Sequence, residues 1–156
     1  MNTFLDYVIQ TTLKKAERAA DTGEVPVAAA VFNSDKNIIV SLCSNLTKTH
    51  ADPTAHAEML AIREACRQTN SLYLSPFDIY VTLEPCPMCA AAIGFARFRR
   101  LYFGAYDVKS GGVDNGAKIY DAPSCHYAPE VYGGVGETKA AELLKKFFKT
   151  LRSENA

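Results

Sequence analysis

A chain of 156 residues with 17 basic and 17 acidic side chains carries no formal net charge, which excludes a globally cationic nucleic-acid binder but not a local basic face. The length suits one domain over residues 1–156, able to bury roughly 68–70% of the surface of its unfolded form without a disulfide framework. Five cysteines, an odd count with one close pair, point to metal or thiol chemistry in a reducing compartment, and neither a secretory start nor a run near about 20 apolar residues is present, so a cytoplasmic protein is predicted.

In chain order, Phe4, Val8, Ile9, Leu13 and Ala16 recur at helical spacing and predict an amphipathic helix over 3–20, closed by the DTGE turn. VPVAAAVF and NIIVSLC, parted by NSDK, read as a β-hairpin. Helical spacing resumes at Asp52, the predicted N-cap, with Pro53 at the first helical position and Met59, Ile62, Arg63 and Cys66 down one side. FDIYVTLE is then a strand, PMCAAAIGFAR a short helix and RLYFGA a further strand. Strands that alternate with helices imply a sheet that is partly parallel and covered on both faces. The segment 107–129 is rich in Gly, Asp, Asn and Tyr without a clear period, the mark of a functional or mobile loop. A short strand, EVYGGV, precedes a last helix with Leu143, Leu144, Phe147, Phe148 and Leu151 on one side and lysines on the other.

The chemistry gathers in two short stretches, PTAHAEML and TLEPCPMCAAA. In PCPMC, Pro87 suits the first position of a helix, where its missing N–H would be unpaired anyway. Cys86 then becomes the N-cap and Cys89 a first-turn residue, so both sulfurs can converge beyond the helix end. The positive end of the helix dipole and the free N–H groups there favour thiolate over thiol. His56 is the natural third ligand, because zinc takes mixed sulfur and nitrogen donors. Three protein donors leave one tetrahedral position open, the mark of a catalytic site, and zinc brings bound water from a pKa of 15.7 to about 7.

Glu58 lies two residues after His56, and residues two apart on a regular helix do not share a face. The conflict is removed if the pocket sits over the helix N-terminus, toward which first-turn side chains tilt. Glu58 is then placed as the proton carrier between water, a ring nitrogen and a departing amine, a role typically worth about 10²–10⁴-fold. Each residue also has a plainer reading. A lone C-x-x-C can be a redox motif or half of a structural zinc site, His56 a helix-capping imidazole and Glu58 a first-turn acid. Cys43 ends a strand, Cys66 falls on the buried side of its helix, and Cys125 with His126 stands in a loop.

H-x-E followed downstream by P-C-x-x-C is the known signature of zinc-dependent base deaminases, here His56-Ala57-Glu58 and Pro85-Cys86-Pro87-Met88-Cys89. The chain further resembles the bacterial tRNA-specific adenosine deaminases through GEVPV, DPTAHAEM, YVTLEPCPMCA, FGAYDVKSG and LLKKFFKTLR, over nearly its whole length. The resemblance implies a three-layer α/β/α cytidine-deaminase-like fold with a central five-stranded mixed sheet. It implies a homodimer with active sites near the subunit interface, and hydrolytic conversion of adenosine to inosine at the wobble position in the tRNA anticodon loop. It puts one zinc ion per subunit on His56, Cys86 and Cys89, and the proton shuttle on Glu58. It also implies that Asn45 contacts the target nucleoside, that Ala57 and Pro85 offer backbone groups to the base, and that Asp107 lies in the loop that meets RNA.

Three departures stand out. Ala28 replaces the family's usual glycine and is expected to narrow one side of the pocket. Tyr106 stands where a relative often has arginine and can stack on a splayed base. APSCHYAPEVYGG matches the family only loosely. Three functions are therefore compared. An RNA adenosine deaminase would use Lys145, Lys146, Lys149, Arg152 and the arginines near Arg97 to hold phosphates. A deaminase of free guanine or cytosine compounds would use the same zinc without a polyanion groove. A non-catalytic zinc module would have no use for Glu58 beside the metal.

Overall fold

Thr3 opens the first helix. Its hydroxyl accepts from Asp6 N at 3.1 Å while the Asp6 carboxylate accepts from Thr3 N at 3.0 Å, a reciprocal cap that fixes the start of α1 (Phe4–Asp21). The computed structural model describes residues 3–155. Strands β1 (Ala28–Asn33) and β2 (Ile38–Ser44) form the expected antiparallel hairpin, its turn closed by Asn33 Oδ1, which accepts from Asp35 N and Lys36 N. β1 begins at Ala28, later than the apolar run, because Pro26 has no N–H to give a ladder.

β1 pairs antiparallel with β3 (Asp78–Leu83), which runs parallel to β4 (Arg100–Ala105), and β4 runs parallel to β5 (Glu130–Tyr132). The result is a five-stranded mixed sheet in the order β2-β1-β3-β4-β5. β5 stops at three residues, short of the EVYGGV run, where Gly134 turns into the left-handed region at φ 79°.

Strand alternation sorts the core into two faces. Ala29, Val31, Ile79, Val81, Leu101 and Phe103 face α2 (Ala57–Thr69) and α3 (Pro87–Phe95). Ala30, Phe32 and Tyr80 point the other way, against Val8 of α1. α4 (Glu137–Glu154) lies on that same side and packs Ala140 with Leu13 of α1. These are the three layers that the chain order implies.

Three expectations are corrected. Asp52 does not cap α2: its Oδ1 accepts from Thr54 N and Thr54 Oγ1, both at 2.8 Å, a local turn that competes with helix formation and delays it to Ala57. The buried stripe of α2 is Ala57, Ala61 and Ala65, small residues that let the helix approach the sheet closely, while Met59, Ile62 and Cys66 are half-buried and Arg63 is exposed. On α4 only Ala140 is buried; Leu143, Leu144, Phe147 and Leu151 are half-covered and Phe148 is 41% exposed. Among the described residues, no helix is long and apolar enough to cross a membrane.

Candidate active site

Two helix tips point at one another. His56 is the N-cap of α2 in extended conformation (φ −69°, ψ 150°), and Cys86 is the N-cap of α3 (φ −68°, ψ 171°) with Pro87 directly after it. Neither side chain caps its own helix. Both turn instead toward the gap between the helices, where Cys89, buried in the first turn of α3, joins them. His56 Nδ1 lies 3.7 Å from Cys86 Sγ and 3.6 Å from Cys89 Sγ, and the three donor atoms fall within 4.8 Å of one another.

Those separations test the donor set against an ion. Zinc–sulfur and zinc–nitrogen bonds of about 2.3 and 2.0–2.1 Å at tetrahedral angles place N and S about 3.6 Å apart. The triangle matches, and its two thiols and one imidazole are donors that zinc prefers. Among the described residues no other group of three or more metal-ligating side chains converges in this way; Cys125 donates to Tyr127 O instead, and His126 joins no cluster.

Protons are shared unevenly among these groups: Cys86 gives its proton up readily, while a bound cation would have to displace those that Cys89 and His56 hold. The hydrogen bond with Cys89 is the main cause that brings the Cys86 thiol down to about 4, while that same bond, with burial, pushes Cys89 far up. The bond with Cys86 raises the His56 imidazole above its ordinary value, against the effect of burial. Glu58, in the first turn of α2 and only 4% exposed, is raised chiefly by burial, which disfavours its charge. With α2 starting at Ala57, His56 and Glu58 are N-cap and first-turn residues of one helix tip, as a shared pocket over that end requires.

A cavity of about 270 Å³ opens over this corner. Val25, Val27 and Leu83 form its apolar wall, His56, Glu58 and Cys86 its floor, and Asn45, Ala57, Thr47, Asp107 and Ser110 also line it. Asn45 is buried, and its Oδ1 accepts from Thr47 N. Ala57 begins α2, so its N–H has no partner within the helix. Asp107 Oδ1 accepts from Ser110 N at 2.9 Å.

Other expected residues lie elsewhere. Pro85 is buried outside the lining, and its carbonyl accepts from Gly112 N at 2.8 Å. Ala28 is fully buried, with its N–H donated to Thr82 Oγ1, and does not narrow the cavity. The arginines near Arg97 are committed: Arg99 holds Asp78 through two bonds, Arg100 pairs with Glu130, and Arg97 stacks over Tyr73 at 4.0 Å. Asp78 begins β3 and the cavity lies beyond its end, so Arg99 stands about 17 Å away along the strand. Tyr106 is 42% exposed and meets the edge of Phe103.

Two acids near the cavity were not singled out in the sequence. Glu24, 1% exposed, accepts from Lys48 N, Thr49 N and Thr49 Oγ1. Glu84, 2% exposed, accepts five hydrogen bonds from residues 107–115. Burial pushes Glu84 up, but the bonds from Asn115, Asp107 and Val113 outweigh it and hold the carboxyl below its ordinary range. The one local signal was an acid inside an otherwise apolar run, at GEVPV and TLEPC.

The family profile of the cytidine and deoxycytidylate deaminase zinc-binding region matches residues 2–105, both helix tips included. The chain belongs to this deaminase family. The deaminase is 42% identical over 149 residues to a tRNA-specific adenosine deaminase of Agrobacterium fabrum, covering 96% of this chain and 97% of that protein. A solved structure from studies of A-to-I editing by tRNA:A34 deaminases at the wobble position of transfer RNA matches it with a TM-score of 0.85 and 43% identity, over 88% of this chain and 99% of that one. A guanine deaminase from Nitrosomonas europaea shares the deaminase fold at 20% identity and a TM-score of 0.77, over 90% of this chain and 82% of that one.

Proposed function

We propose that this chain hydrolytically deaminates adenosine to inosine at the wobble position of tRNA, with water replacing the exocyclic amine and ammonia leaving. The observation that carries the reading is the His56, Cys86 and Cys89 triangle with buried Glu58 beside it, in a chain 42% identical to a tRNA-specific adenosine deaminase over 96% of its length. Zinc, one ion per subunit, supplies activated water at neutral pH when held by His56 Nδ1 and the two sulfurs. The positive end of α3 favours Cys86 as a thiolate, and the bound cation would displace the protons of Cys89 and His56, leaving a second thiolate and a neutral imidazole.

Glu58 carries the protons: its buried carboxylate takes one from the attacking water and gives it to the ring nitrogen, then moves the second, from the new hydroxyl on the ring carbon, to the departing amine. Asn45 offers its side-chain amide and Ala57 its free N–H to the target nucleoside. Val25, Val27 and Leu83 exclude bulk water from the base. Asp107 and the exposed ring of Tyr106 meet the nucleotides beside the extruded one. The exposed cations Lys145, Lys146, Lys149 and Arg152 of α4 hold phosphates, so tRNA affinity falls steeply with added salt.

The reading also carries a cytoplasmic protein, one deaminase domain over the whole chain, and a homodimer. Phe95, at the end of α3, is 80% exposed next to the exposed rings of Tyr73 and Tyr127, an apolar face suited to a second copy. Incubation of the purified zinc protein with tRNA, guanine and cytidine in parallel tests the substrate: inosine in tRNA is expected. Xanthine or uridine in its place would move the assignment to a deaminase of free bases or nucleosides. No product from any of them would leave a non-catalytic zinc module.

A further inference from the structure

Glu84 directly follows β3, two residues before Cys86, and has no part in the proton transfers assigned to Glu58. Its Oε1 accepts from Asp107 N at 3.1 Å and Asn115 Nδ2 at 2.7 Å; its Oε2 accepts from Val113 N at 3.2 Å and from Asp114 N and Asn115 N at 3.0 Å. A carboxylate withdrawn from water is costly unless its lone pairs are filled. Here they are filled by a segment with no helix or strand of its own over 106–118, in which the amides of Asp107, Val113, Asp114 and Asn115 find this carboxylate in place of a ladder partner. One side chain thus replaces the missing ladder.

The same loop is keyed to the metal corner. Gly112 N donates to Pro85 O at 2.8 Å, and Glu84 N donates to Ala105 O at 2.8 Å. A Cβ at Gly111 would lie 2.5 Å from Glu84 Oε2, and one at Gly112 would lie 2.5 Å from Pro87 N, so both contacts need glycine. The loop, Glu84 and the helix tip bearing Cys86 are therefore packed as one block, and Asp107 and Ser110 reach the cavity from it.

We propose that Glu84 is a positioning residue for the substrate, holding residues 107–115 as a fixed wall of the cavity mouth so that RNA meets an already ordered loop. The inference rests on the tRNA reading above. A loop ordered before binding spares the complex an entropic cost, so loosening it weakens substrate capture more than chemistry.

Glu84→Gln keeps the volume but turns one oxygen into a donor that faces N–H groups. In the zinc-loaded enzyme, KM for tRNA should rise by roughly tenfold to a hundredfold with kcat within about threefold of wild type, since an amide nitrogen in place of either oxygen breaks at least two bonds to a charged acceptor, each worth about a decade. Zinc content should stay at the wild-type level, and amide exchange at 113–115 should accelerate. An unchanged KM, with kcat falling in proportion to the folded or zinc-loaded fraction, would show a merely structural acid and overturn the inference. If Glu84→Gln does not yield folded protein, Asn115→Ala decides. It removes only the Nδ2 bond to the charged acceptor, so KM should rise up to about tenfold at constant kcat, and an unaltered KM counts against the clamp. Absence of inosine with the wild-type enzyme in the same assay would remove the substrate assignment, and this inference with it, whereas normal wild-type turnover beside an indifferent Glu84→Gln removes the clamp alone.

Discussion

Glu58→Gln is the sharpest test of the site. The substitution keeps the side-chain volume at a position 4% exposed and removes the group that burial has pushed up in pKa. A neutral amide no longer bears the desolvation of a buried charge, so the fold should not lose stability on that account. Gln cannot accept and return a proton, so the whole acid/base contribution is lost, about 10²–10⁴ in kcat. At 1.36 kcal/mol per decade this is roughly 3–5 kcal/mol of transition-state stabilisation. Single-turnover inosine formation with saturating tRNA, zinc content and thermal melting should be measured on the same preparation. The expected outcome is full zinc, an unchanged or slightly higher melting temperature, and a rate at most about one hundredth of wild type. A rate above about one tenth with zinc in place would refute Glu58 as the proton carrier. Loss of zinc would show instead that the acid supports the metal.

Three further outcomes follow from the same structure. Cys89→Ala removes one corner of the donor triangle, so the variant should bind zinc far more weakly and behave on melting like chelator-treated wild type, read by metal analysis and calorimetry. Phe95→Glu puts a charge on an apolar side chain that is 80% exposed: if the proposed homodimer uses this face, light scattering should report dimers for wild type and monomers for the variant, with the melting temperature of the monomer little changed. For Glu24, burial raises the carboxyl but the bonds from Thr49 and Lys48 outweigh it, leaving it below its ordinary value of 4.5. A depressed folded-state pKa means that its stabilisation is fully present above that value and lost as pH falls through the lower, folded one. The gap in stability between wild type and Glu24→Gln, from urea unfolding, should therefore be widest near neutrality and shrink below about pH 4.5; a gap that widens in acid would reverse the sign.

The features that the chain announced were the local ones. Phe4, Val8, Leu13 and Ala16 at helical spacing, and Pro87 after Cys86, lie near enough in the chain for sequence alone to announce a helix. The pairing of His56 with Glu58 required α2 to begin late, and it does. Asp52 misled because a Pro-preceding acid with Thr54 two residues on satisfies the pattern of a cap and of a local turn equally well, and only the backbone beyond it decides. Glu24 and Glu84 could not be read because their donors lie 24–25 and 23–31 residues away in the chain. Arg99 and Arg100 looked like free cations because their partners are set by the packing of β3, β4 and β5, not by neighbours in sequence. The 107–129 segment lacked any period for a related reason: its first part takes its shape from Glu84, a residue outside it.

The parallel run of β3 and β4 has a consequence for how this scaffold could be retargeted. Both strands end at the same rim, one leading into the helix that bears two sulfurs and the other into the span that begins at Tyr106. On the proposed reading, the two sulfurs and the loop that meets RNA are thereby borne by different pieces of backbone that leave one edge side by side. A designer could splice new sequence after Ala105 to admit another nucleic acid and leave the reactive corner intact, provided the graft still presents its amides to the acid waiting on the neighbouring strand.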